Sequence, residues 1–169
     1  MKGLNYVPEN GGNIDKRLRN LEYAVDCVPY ASGVFTVQGL ALTDATASTL
    51  AFTAGENDRV TVDATAGSTK ILAAGFYKVD VSGFIQFITD SVAATGQLDV
   101  LVNGTSVLTT GDGAAATTAG AVVPVSGTII LDLEVNDVIT FTITLTGDDG
   151  DTSATLGNAS FSLFRIKAG

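Results

Sequence analysis

Residues 139–145 read Ile-Thr-Phe-Thr-Ile-Thr-Leu, and this stretch decides the fold class of the chain. Large apolar side chains alternate with threonine, and alternation with a period of two places the apolar side chains on one face of a β-strand. Isoleucine, phenylalanine and threonine are also residues that favour strands. The stretch therefore predicts a strand with one face in a core and the other face turned away from it.

The same alternation recurs along most of the chain after residue 30. The longest run extends from Phe76 to Thr89, and shorter runs cover Leu98–Val102, Ile129–Leu133 and Phe161–Ile166. The second of these runs leads into Asn103-Gly104, which is the favoured pair for a two-residue hairpin turn. The chain after residue 30 thus contains about eight to ten predicted strands separated by short turns, and no helical pattern. This organisation predicts an all-β head folded as a β-sandwich or jelly roll.

The N-terminal segment has a different pattern. Residues Asn13 to Asp26 carry apolar side chains four, three and four residues apart, which is the spacing of a coiled-coil seam. The seam consists of Ile14, Leu18, Leu21 and Val25. Such a seam predicts that copies of the chain associate through this helix. Two heptads are marginal as an isolated helix, so we expect another part of the chain to hold the copies together as well. We divide the chain into an anchoring arm and short helix over residues 1–30 and a β head over residues 31–169.

Composition and charge exclude several function classes. The chain has 169 residues, 9 basic and 18 acidic side chains, one cysteine and no histidine or tryptophan. Residues 1–26 are neutral in sum, so the net charge of −9 lies on the β head. An acidic head would repel phosphates, which argues against nucleic acid as a partner. No apolar run approaches the roughly 18 residues of a membrane span, and the N-terminus lacks the apolar core of a signal peptide, so we expect synthesis in the cytoplasm and no membrane partner.

The search for a catalytic or metal site finds one weak candidate. Gly147-Asp148-Asp149-Gly150-Asp151 places three carboxylates close together, but it lacks the alternating ligands and the distal glutamate of a calcium loop. Without histidine, the commonest general base and zinc ligand are both absent. We therefore expect no enzyme activity, no catalytic or metal-binding residues and no cofactor, and we interpret this segment as a solvated loop.

Several large apolar residues fall at positions that face away from the predicted core. They are Phe84, Ile88, Leu101, Ile130 and Phe164. Burial against neighbouring subunits would explain them, and this agrees with the coiled-coil seam. Small clusters covered by loops are the alternative explanation. We predict that these five residues form a subunit interface.

From Gly75 onward, the order of segments resembles the globular head of the C1q and tumour-necrosis-factor superfamily. The matching pieces are Gly75-Phe76-Tyr77, the stretch Leu98–Thr105, the stretch Ser126–Leu133, the turn Val135–Ile139 and the final stretch Ala159–Phe164. The resemblance implies a trimeric jelly roll whose last strand ends at the trimer axis. The chain departs from the family in lacking a collagenous stalk and in having Asn136 where the pattern usually has glycine.

Short trimeric jelly rolls with an N-terminal arm and a composition rich in alanine, threonine and glycine are similar to bacteriophage virion proteins. This likeness implies a homotrimeric capsid decoration or head-fibre protein, located in the virion, whose partners are its own copies and the major capsid protein or another virion component. Leu4, Tyr6 and Val7 would anchor the arm to the capsid. The alternative is the tip of a tail fibre or spike that binds a host surface receptor through loops 90–96, 111–120 and 147–157.

Overall fold

The computed structural model describes residues 29–36, 47–88, 95–111, 120–146 and 154–168. The predicted arm and helix, including their anchoring and seam residues, lie outside these ranges. Within the described ranges the regular elements are all strands, and no helix there is long and apolar enough to cross a membrane. The bounds are β1 Tyr30–Phe35, β2 Ser48–Thr49, β3 Phe52–Asp58, β4 Val60–Asp63, β5 Ser68–Ile71, β6 Gly75–Phe87, β7 Thr95–Val102, β8 Thr105–Thr110, β9 Val122–Leu133, β10 Val138–Thr146 and β11 Ala154–Ala168.

The strands form two sheets that pack face to face. The first sheet has five strands in the order β3-β1-β11-β6-β9, and the second has six, in the order β4-β5-β10-β7-β8 with β2 paired to β10. Every pairing is antiparallel. From β9 onward each strand lies in the other sheet from the strand before it, as in a jelly roll, so the predicted all-β sandwich is confirmed.

The core lies between the sheets and contains the side chains that the alternation placed inward. Ile139, Phe141, Ile143 and Leu145 of β10 are all buried, as the opening stretch predicts. Four phenylalanine rings form the centre of the core, with centroids 4.6–6.5 Å apart in all six pairs. Phe141 belongs to the second sheet, whereas Phe35, Phe52 and Phe161 belong to the first. Packing of such rings stabilises the contact between the two sheets beyond simple burial.

Two turns at one end of the sandwich are tied together by side chains. Asn103 and Gly104 both have positive φ, 51° and 81°, which is the two-residue hairpin turn that the sequence predicts. The Asn103 side chain donates a hydrogen bond to Asp137 at 2.7 Å and accepts one from the Val138 amide at 3.0 Å. Asn136 has a φ of 80°, a left-handed conformation that asparagine tolerates better than other residues with a side chain. This conformation explains why asparagine can occupy a position where the family pattern has glycine.

The start of β1 and the preceding Pro29 lie at this same end of the sandwich. The amide of Arg165, in the last strand, donates a hydrogen bond to the Pro29 carbonyl at 2.9 Å. Tyr77, which is fully buried, donates its hydroxyl to the Ala73 carbonyl at 2.5 Å, and burial raises the pKa of this phenol. We call the end that contains Pro29, the turn 134–137 and the C-terminus the basal end, and the opposite end the distal end.

Candidate assembly surface

The outward face of the five-stranded sheet carries the candidate functional surface, and antiparallel pairing arranges its side chains in rows. Four of the five outward apolar residues that the sequence singles out lie on or beside this sheet: Phe84 in β6, Ile88 directly after it, Ile130 in β9 and Phe164 in β11. Leu101 lies in β7 of the other sheet. The structure therefore groups four of the predicted interface residues and separates the fifth, and whether they form an interface stays a prediction.

One row in the basal half of the face is mostly apolar. Strand register places Tyr30 beside Phe164, Phe164 beside Lys78, and Lys78 beside Ile130. The Lys78 ammonium lies 5.6 Å from the centre of the Phe164 ring, a cation–π contact. Ile130 is 58% exposed. We call these four residues the basal apolar row.

A second apolar group lies toward the distal end. Phe84 is paired with Pro124, Gln86 is paired with Val122, and Ile88 follows the end of β6. The Phe84 ring covers Gly157, where an added Cβ would lie 2.3 Å from the ring, so glycine is needed for this packing. Val122 and Ile88 are each 51% exposed. We call Phe84, Ile88, Val122 and Pro124 the distal apolar group.

Small polar side chains separate the two apolar groups. One cross-strand row consists of Ser32, Ser162, Asp80 and Thr128, and the next contains Ser160, Ser82 and Ser126. We call these seven residues the polar band. Val34 continues the second row on β1 and is 58% exposed.

The polar band is held together by its own contacts. Lys78 of the basal apolar row forms a salt bridge to Asp80 at 2.9 Å, and Thr128 donates a hydrogen bond to the same carboxylate. The hydroxyls of Ser82 and Ser160 lie 3.3 Å apart. The bond from Lys78, and after it the bond from Thr128, lowers the pKa of Asp80 below its ordinary value. Asp80 is therefore ionised at neutral pH.

A depression of about 540 Å³ lies at the β1–β3 edge of the face, beside the exposed side chain of Val34. The register between β1 and β3 shifts next to Gly33, and both Gly33 and Gly55 belong to the lining of the depression. Ala54, Ser160 and the Phe161 ring complete the lining together with neighbouring residues. The opposite edge of the same sheet is β9, which carries the exposed side chains of Val122 and Ile130. The face thus has a depression at one edge and protruding aliphatic side chains at the other.

The basic residues of the head lie toward one end of it. The five basic residues of the β head are Arg59, Lys70, Lys78, Arg165 and Lys167, and strand register places all of them in the basal half. The four connections that join strands at the distal end span residues 37–46, 89–94, 112–119 and 147–153, and they lie outside the described residues. Their sequences contain six aspartates and no basic residue. The loops predicted for receptor binding and the weak calcium candidate fall largely in these connections.

Sequence reasoning missed three parts of this surface. Tyr30 and Val34 lie in β1, and neither is among the five outward apolar residues that the sequence singles out. Val122 lies in β9, which begins before Pro124 although proline and the following Ser-Gly pair are typical of a turn. Proline is tolerated here because β9 is an edge strand. The depression depends on a register shift, and no local pattern in the sequence indicates it.

The comparisons with known proteins identify the fold. No family model and no curated protein matches the chain. Among solved structures, the chain is similar to Eiger TNF from S. frugiperda, with a TM-score of 0.59 and 11% identity over 84% of this chain and 94% of that one. It is also similar to murine APRIL, with a TM-score of 0.51 and 11% identity over 82% of this chain and 99% of that one. At this identity the likeness shows the fold alone, and it confirms the TNF-like jelly roll that the order of sequence segments predicts.

Proposed function

We propose that this chain is a bacteriophage virion structural protein, a homotrimeric decoration or head-fibre protein that attaches to the capsid through residues 1–30. The observation that carries the proposal is the outward face of the five-stranded sheet, where two apolar groups and a depression have no covering element among the described residues. Groups of large exposed apolar side chains on one face of a folded domain are typical of a protein interface.

The arrangement of this face supports a second copy of the chain as the occupant. A depression at one edge and protruding aliphatic side chains at the other are two different surfaces, so their contact is head-to-tail. Head-to-tail contacts close into a ring when the rotation between copies permits it. The resemblance to the C1q and tumour-necrosis-factor superfamily implies three copies in that ring.

The two ends of the head support attachment at the basal end. Residues 1–28 join the head at Pro29, and the last strand lies beside this residue. In a ring of three copies all N-terminal segments leave from the same end, and three weak contacts to a capsid add through effective concentration. The acidic distal connections then face away from the particle.

Deletion of residues 1–12 tests the proposal. We expect the shortened protein to remain a trimer of about 48 kDa, since only about 1.3 kDa is lost from each 17.2 kDa chain. We expect this trimer no longer to sediment with phage particles. The replacement of Leu4, Tyr6 and Val7 by serine in the full-length chain is the matched variant, because it keeps the length of the arm. Trimers that still bind particles with full affinity would refute the assignment of the arm.

A receptor-binding tip is the second candidate, and one observation favours it. The three predicted loops 90–96, 111–120 and 147–157 lie between strands whose ends are remote from Pro29, although residues 95–96 and 154–157 belong to β7 and β11 and not to loops. An adsorption assay with the isolated protein separates the two functions. Saturable binding to host cells supports a tip, whereas binding to particles alone supports decoration.

A further inference from the structure

The polar band is an unexpected component of an otherwise apolar face. It lies between the basal apolar row and the distal apolar group, and it runs across β1, β11, β6 and β9. A face evolved only for apolar burial would continue the aliphatic pattern through this region. The band instead contains one carboxylate and six hydroxyl groups, and its carboxylate is paired with Lys78 at 2.9 Å.

We infer that the polar band, together with the adjoining Lys78, sets the register in which copies of the chain associate, and that Asp80 of the band and Lys78 are the specificity-determining residues. This inference rests on the proposed self-association of the face. It adds to that proposal a reason why one arrangement of the copies is selected among the many that apolar contact alone would allow.

The physical argument starts from the different directionality of the two kinds of contact. Apolar contact depends on the area removed from water and tolerates sliding of one face over the other. An ion pair and its hydroxyl partners lose water when the face is covered, and this loss is offset only where polar groups of the neighbour meet them. A displaced register would place an apolar side chain over Asp80 or Lys78 and would leave the desolvation uncompensated. The band therefore penalises wrong registers more strongly than it stabilises the right one.

The contacts within one copy show that the band is ordered before association. The Asp80 carboxylate already accepts hydrogen bonds from Lys78 and Thr128, and these bonds lower its pKa. Ser82 and Ser160 are within hydrogen-bonding distance of each other. A pre-formed polar surface loses little conformational entropy on binding, which sharpens the discrimination between registers.

The decisive variant replaces Lys78 by methionine and Asp80 by leucine in the full chain. Both changes remove a charge and keep most of the side-chain volume. We expect the variant to fold by circular dichroism and to associate, but sedimentation velocity should resolve at least two oligomeric masses. The wild type should give one species of about 52 kDa, three times the 17.2 kDa of one chain. A variant that forms only the wild-type species overturns the inference and leaves the proposed trimer intact.

Two further variants complete the test. Asp80→Leu alone leaves the Lys78 ammonium without its carboxylate in a covered face, and we expect the dissociation constant to rise at least about a hundredfold. Asp99→Leu is the matched control, because Asp99 accepts a hydrogen bond from Ser106 at 3.0 Å on the second sheet. The control should assemble as the wild type does, and equal loss of assembly in both variants overturns the inference.

A separate pair of substitutions covers the case in which the charge variant does not fold. Ser82→Val with Ser160→Val makes the middle of the band apolar with residues that favour strands. We again expect several masses, and a single 52 kDa species, three times one chain, overturns the inference. A wild type that sediments as a 17.2 kDa monomer overturns the proposed self-association and this inference together.

Discussion

Replacement of Ile130 by glutamate is expected to separate the copies of the chain while each head stays folded. Ile130 lies on the edge strand β9 and is 58% exposed, so the head itself gains little from its side chain. Complete burial of an isoleucine side chain is worth about 1.5–3 kcal/mol. The exposed fraction of 58% then leaves about 1–2 kcal/mol per copy to be gained on association.

The effect is multiplied because a ring of three copies contains the residue three times. Loss of the three contacts amounts to about 3–5 kcal/mol per trimer, which is at least a hundredfold in the dissociation constant. Glutamate adds a carboxylate that would lose water without a partner, and this raises the cost further. The expected result is a monomer at micromolar concentration whose head is still folded.

Sedimentation velocity over a hundredfold range of concentration measures this shift, and circular dichroism reports on folding. Val135→Glu is the matched control, since Val135 is also branched and is 50% exposed but lies in the turn between β9 and β10. The control should keep the wild-type mass. If Ile130→Glu assembles as tightly as the control, the outward face of the five-stranded sheet is not the interface.

Three further predictions concern the stability of the single head. Thr69→Val should raise the free energy of unfolding by about 1 kcal/mol, because the buried Thr69 hydroxyl has no partner among the described residues. Chemical denaturation measures this change, and Thr61→Val at an exposed position is the control. Equal effects of the two substitutions would contradict the prediction. Asp137→Ala should lower the free energy of unfolding by about 1–2 kcal/mol, since it removes the hydrogen bonds that Asp137 accepts from the Asn103 side chain and the Glu134 amide. An unchanged urea midpoint would show that the contact between the two turns does not stabilise the head. Burial raises the pKa of Tyr77, so the free energy of unfolding of the wild type should fall as the pH rises from 10 toward the pKa of the folded state. Tyr77→Phe should lack this fall when the free energy of unfolding is measured from pH 8 to 11. The same pH dependence in both proteins would refute the raised pKa of Tyr77.

The sequence predicts the strands well where the periodicity alone determines them. The runs at 76–89, 98–102 and 139–145 match β6, β7 and β10 closely, because each has one face in the core and alternates without interruption. The turn at Asn103-Gly104 follows from backbone sterics, which are local. These features need no knowledge of the rest of the chain.

The parts that the sequence does not predict depend on which strands are neighbours. Alternation shows that Lys78, Asp80 and Ser82 face outward, but it does not show that Ser162 and Thr128 lie beside Asp80. Those neighbours come from β11 and β9, which are distant in sequence. The same reason explains the separation of Leu101 from the other outward apolar residues, since membership of a sheet is a property of the topology and not of the local pattern.

The three parts of the proposed function use different parts of the head: the contact between copies, the attachment of the arm to the capsid, and the outward exposure of the distal connections. The outward face of the five-stranded sheet extends along the length of the strands, whereas the basal and distal ends are where the strands begin and end. Contact between copies through this face would therefore leave both ends free. In the proposed ring all copies point the same way, which places three N-terminal segments on one side and eighteen aspartates of the distal connections on the other. With no basic residue in those connections, distal ends repel one another, so trimers are not expected to stack end to end. In the proposed trimer, the uneven charge of the head would limit growth along the axis, and the polar band would limit the choice of arrangement around it.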